Sequence, residues 1–80
     1  MWLVRVFDPE GFYDDFYFRE KENARAFLKT KVEEFIQFHE DKGYNAPDFG
    51  YTTYEEMLKD CIQHNGMTDV AYMFKIETED

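Results

Sequence analysis

Residues Asn23–Lys42, NARAFLKTKVEEFIQFHEDK, read as one long amphipathic helix, and the rest of the chain has to fit around it. Ala24, Leu28, Val32, Phe35 and His39 fall on one stripe at helical spacing. Phe27 and Phe38 widen the stripe on one side and Ile36 on the other, while Lys29, Glu33, Glu34, Gln37 and Glu40 take the opposite face. An apolar arc that wide meets more than one partner, such as a sheet and a second helix. Leu28 and Phe35 are expected to be almost fully buried against the sheet.

The flanking segments supply both partners. Trp2–Phe7 is β-branched and aromatic and reads as a strand. Asp8-Pro9-Glu10-Gly11 suits a type I turn, with Pro second and Gly fourth. The return strand is expected at about Asp15–Arg19, with Phe12–Asp14 as loop tip or bulge. Asn23 is the N-cap candidate of the long helix, with Lys21 and Glu22 able to extend its first turn, and Gly43 is its C-terminal stop. Gly43–Thr52 is linker-like, although Tyr44, Phe49 and Tyr51 suggest that it packs. Thr53 and Glu56 form a capping box for a second helix with Met57, Leu58, Cys61 and Ile62 on its apolar side, ending at Asn65-Gly66. Met67–Ile76 reads as the last strand, with Val70, Tyr72, Phe74 and Ile76 sharing one face. The order β-β-α-α-β gives a single α+β domain over residues 1–80: a three-stranded antiparallel sheet with two helices on one face. The last strand can pair with the first.

So short a chain buries roughly 60–65 % of its unfolded surface, and nine Phe, six Tyr and one Trp make the core rich enough to hold. The single cysteine, Cys61, excludes an intrachain disulfide and fits a reducing cytoplasm. No secretory signal opens the chain, and no apolar run approaches a membrane span. The net charge of −9 is uneven. Residues 1–20 hold five acids against two bases, residues 21–42 five against five, and residues 43–80 eight against two. Such a surface repels nucleic acid and anionic membrane and attracts basic partners.

Catalytic patterns are weak. Cys61 and His64 stand three apart on the second helix, but a structural zinc site takes four ligands and there is no second cysteine. A Cys61–His39 nucleophile pair lacks a third, orienting group. Asp14 and Asp15 are neighbours, so a strand sends them to opposite faces. The four glycines, at 11, 43, 50 and 66, form no phosphate loop. No cofactor or metal is expected, and the chain reads as a non-enzyme. What stands out is tyrosine beside acid. Tyr13, Tyr17, Tyr44, Tyr51 and Tyr54 cannot all be buried, and tyrosine with Asp or Glu suits an interface with Arg and Lys.

With its small size, acidity, opening hairpin and strand-to-helix passage VFD/FYFREKENARAFL, the chain resembles the accessory proteins of bacteriophages and mobile elements. The resemblance implies an inhibitor of a host enzyme or defence system, anti-CRISPR-like in type, acting in the cytoplasm of a bacterial host. Some such proteins imitate the charge of DNA; the neutral long helix departs from that pattern. The expected function is therefore a phage-encoded acidic binding protein directed at a basic, nucleic-acid-handling host protein through protein–protein contact, with no direct nucleic-acid or membrane binding. Its expected contact surface is Asp8, Glu10, Tyr13, Asp14, Asp15 and Tyr17. The competing readings are a homo-oligomeric interaction module and a small enzyme built on Cys61 and His39.

Overall fold

A computed structural model describes residues 1–67 and 69–77. The chain runs β1 (Trp2–Phe7), β2 (Tyr13–Phe18), α1 (Lys21–Asp41), a 3₁₀ turn (Ala46–Phe49), α2 (Tyr54–Gln63), β3 (Gly66–Met67) and β4 (Ala71–Lys75). The sheet is antiparallel in the order β2-β1-β4-β3. It has four strands among the described residues, not three. The expected last strand is broken after Met67: Asp69 adopts a left-handed φ of 66°, and the Val70 N–H closes a turn onto the Met67 carbonyl at 3.1 Å. A short hairpin therefore replaces one straight strand.

The first hairpin is regular, with Phe7 opposite Tyr13 and Trp2 opposite Phe18, so no bulge displaces Phe12–Asp14 and the return strand begins at Tyr13. The turn explains why. The Gly11 N–H donates to the Asp8 carbonyl at 3.1 Å, and the Asp8 carboxylate accepts from the N–H groups of Glu10 (2.9 Å) and Phe12 (3.0 Å). β1 sits at the centre, between β2 and β4, and at its far end the Ile76 N–H donates to the Met1 carbonyl at 2.9 Å.

α1 begins two residues before Asn23, after Glu20 as N-cap, because the Glu20 carbonyl already accepts from the Ala24 N–H. It stops as expected. Gly43 at φ 89° lets its own N–H reach the Glu40 carbonyl and the Tyr44 N–H reach His39, the two bonds of a Schellman cap. α2 is capped by the Thr53 hydroxyl, which accepts from the Glu56 N–H, while the Glu56 carboxylate reaches Thr52 N–H. Between the helices, Asn45 and Asp48 form a full capping box around the 3₁₀ turn, with Ala46 buried, whereas at α2 the expected box is half made, since Glu56 reaches Thr52 and not the N-cap Thr53.

One core holds the layers together. Ala24, Leu28, Val32 and Ile36 of α1 meet Val4, Ala71 and Met73 of the sheet, with Met57 and Cys61 of α2 joining from the side. Both helices thus serve one sheet face, α2 chiefly by leaning on α1 and β3. The buried row of α1 ends in Ile36, 8 % exposed, whereas Phe35 is only half-buried, contrary to expectation. Phe35 instead packs at the edge of the core and enters an aromatic group with His39 (ring centroids 4.1 Å apart) and Phe49 (5.7 Å). Ile36, next to it, takes the core-facing place; a helix of 21 residues runs roughly 30 Å and a strand of six only about 20 Å, so the last turn of α1, beyond Ile36, overhangs.

Candidate functional site

The sheet face turned away from the helices carries its own side-chain pattern. Leu3, Arg5 and Phe7 of β1 share it with their register partners Tyr17, Asp15 and Tyr13 of β2 and with Tyr72 and Phe74 of β4. Leu3 is 4 % exposed although no helix covers it among the described residues, because Tyr17 and Phe74 flank it. Tyr13, Phe7, Tyr72 and Phe74 make a continuous row with ring centroids 5.7–5.8 Å apart.

Arg5 organises this face. Its guanidinium donates from Nε to Asp15 Oδ1 at 2.8 Å and from NH2 to Oδ2 at 3.1 Å, a two-pronged cross-strand pair. The same group lies 4.2 Å from the centre of the Tyr13 ring and 5.7 Å from that of Phe74. The bond from Arg5 holds the Asp15 carboxyl below its usual range, partly opposed by desolvation. The bond to Asp15 likewise pushes the Arg5 guanidinium up. Both side chains keep about a quarter of their surface in solvent, 26 % and 22 %, so the pair orders the face more than it stabilises the fold.

The expected contact residues therefore divide. Tyr13, Asp15 and Tyr17 share the open face, and the two tyrosines are 54 % and 61 % exposed. Asp14 projects to the other side with Phe16 and Phe18, and stays exposed at the rim while Phe16 and Phe18 pack on Phe27 at 4.8 and 5.3 Å. Asp8 is engaged in the turn, and Glu10 is exposed in the same loop. Of the six residues, Asp14 and Glu10 are the acids with no partner among the described residues.

A cleft of about 510 Å³ lies beside the turn, where α1 overhangs the sheet. Val6, Pro9, Phe35, Phe38 and Val70 line it with apolar surface, and Asp8, Glu34 and Asp69 add acids. Sequence reasoning missed this concavity and also the parts of Phe7, Tyr72 and Phe74 in the open face. The signal for the second was present: Tyr72 and Phe74 alternate with the small and apolar Ala71 and Met73, and the buried pair had to point at the helix.

The groups considered for chemistry do not converge. Cys61 is 3 % exposed in the core, and burial pushes its thiol up, the reverse of an activated nucleophile. His39 lies in the aromatic group, its Nδ1 2.9 Å from the Phe35 carbonyl, and His64 is exposed at the end of α2, Nδ1 2.9 Å from the Asp60 carbonyl. Among the described residues no three His, Cys, Asp or Glu side chains gather to hold a metal ion, and no helix is long and apolar enough to cross a membrane.

The chain matches no protein-family model, no curated protein and no solved structure.

Proposed function

We propose that the chain is a non-enzymatic acidic binding protein that occupies a basic protein through its first hairpin, in the manner of the phage-encoded host inhibitors it resembles. The setting is the cytoplasm of a bacterial host, and the partner is a defence or nucleic-acid-handling protein. One observation carries the reading: Tyr13 and Tyr17 stand exposed around the ordered Arg5–Asp15 pair, on a sheet face that no helix covers among the described residues. Tyrosines held on a rigid strand give contact area at little entropic cost, which is where interface affinity concentrates. The neighbouring free carboxylates, Asp14 and Glu10, supply a field that speeds encounter with Lys and Arg. Asp15 does not steer, since Arg5 neutralises it.

Affinity capture from a bacterial lysate tests this, comparing the native chain with Tyr13→Ala/Tyr17→Ala, Asp14→Lys/Glu10→Lys and Glu55→Lys variants. The tyrosine pair should lose the captured protein. The lysine pair should weaken capture and flatten its salt dependence, and Glu55→Lys on α2 should retain it. Loss with Glu55→Lys alone would move the contact to the C-terminal half and end the hairpin assignment.

A further inference from the structure

We infer that β2 receives an extended, lysine- or arginine-bearing segment of the partner as a fifth strand, so that recognition runs through the backbone as well as through side chains. The inference rests on the hairpin being the contact surface and adds the mode of contact. β2 is the outer strand of the sheet, and its far edge is unpaired among the described residues.

The direction of its free groups follows from the ladder. In an antiparallel sheet each residue sends both its N–H and its C=O to one neighbour, and successive residues alternate. The Phe7 N–H goes to Val70 O at 2.9 Å, toward β4, and the Asp8 N–H goes to Phe12 O at 2.8 Å, toward β2. Leu3, Arg5 and Phe7 thus bond to β4, whereas Trp2, Val4 and Val6 bond to Phe18, Phe16 and Asp14. Tyr13, Asp15 and Tyr17 are left with their N–H and C=O groups pointing outward. These same residues carry the open-face side chains. An added strand would gain a row of main-chain bonds and, on its near side, a floor of two tyrosines.

Charge selects the occupant. From Val6 to Phe18 there is no Lys or Arg, while Asp8, Glu10, Asp14 and Asp15 are present, and Arg5 offsets only one of them. A second copy of the chain fits poorly. Two antiparallel overlaps of β2 with itself are equally full: one sets Asp15 against its own counterpart, the other sets Phe16 against its counterpart and Asp15 against Tyr17, and both bring molecules of charge −9 together along an acidic strand. A basic strand meets no such penalty.

The probe is a capped peptide of alternating lysine and valine, about as long as β2, added to the isotope-labelled full chain and followed by amide NMR and hydrogen exchange. Two comparison peptides replace lysine with glutamate or carry N-methyl groups on alternate residues. The lysine peptide should shift and protect the amides of Tyr13, Asp15 and Tyr17. The glutamate peptide should not bind, and the N-methylated peptide should bind at least about tenfold more weakly. Tyr17→Pro should have the same effect as N-methylation, because its outward N–H is no part of the existing ladder. Binding at the hairpin that is indifferent to N-methylation overturns strand addition and leaves the binding reading standing. Shifts confined to α2 or the cleft, or no binding by any peptide, overturn both. Protection of those three amides that rises with protein concentration in the absence of peptide overturns the basic occupant in favour of a second copy.

Discussion

Leu28 and Phe35, one heptad apart on the same helix, separate what periodicity conveys from what it does not. Both lie on the apolar stripe, yet Leu28 is fully buried under the sheet and Phe35 is half-buried among rings at the edge of the core. Leu28→Ala should cost about 2–5 kcal/mol in urea melts, and Phe35→Ala should cost less; the opposite ranking would place the wrong row inward. Tyr51 offers a titration test. Its hydroxyl donates to Asp60 Oδ2 at 2.6 Å, and this bond, with desolvation behind it, pushes the phenol up to about 12. A raised folded value means that the contribution is complete below the unfolded value near 10 and is lost as pH climbs through about 12. The native chain should lose stability across that window, and Tyr51→Phe should show a flatter profile, the remainder coming partly from Tyr54, whose phenol desolvation also raises. Asp15 works in the other direction: its contribution holds above the ordinary carboxylate range and fades as pH falls through its lowered value. Local chemistry such as the Thr53 cap and the Asp8 turn was legible from neighbours in sequence. The Arg5–Asp15 pair was not, because it depends on a register between strands that the nine intervening residues do not announce.

At the scale of elements, the two helices and the first hairpin follow from period, caps and turn residues, all local signals. The splitting of the last strand does not, since MTDVAYMFKI contains no Gly or Pro to mark the break. The break is the Asp69 turn, and what lets the short arm before it pair lies just upstream. Gly66, at φ 135°, sits so close to β4 that a Cβ there would crowd the Tyr72 Cα and the Ala71 carbonyl. That close approach is what allows a two-residue β3 to pair at all. Gly66→Ala should therefore destabilise by about 2 kcal/mol or more, visible as a lower urea midpoint, whereas Gly11→Ala meets no neighbouring atoms and should lose only the cost of its own positive φ. Equal losses at the two glycines would show that packing against β4 contributes nothing.

For the whole molecule, self-repulsion at −9 opposes compactness, so moderate sodium chloride should raise the urea midpoint at neutral pH, most steeply at the low-salt end. A midpoint that falls with salt would mean that attractive pairs such as Arg5–Asp15 outweigh the repulsion. The central place of β1 has a further consequence, in time. Of the described strands, the one made earliest on the ribosome takes as its second neighbour the one made latest, residues 71–75. Until those residues emerge, β1 has one bare side, and neither Ala71 nor Met73 is there for α1 to close upon. Synthesis and assembly therefore run out of step: the nascent hairpin and helix wait, incomplete, for the C-terminal end of the described fold. Ribosome-stalled chains ending before Ala71 should be digested readily by protease, and chains extended by a linker past residue 77 should resist it.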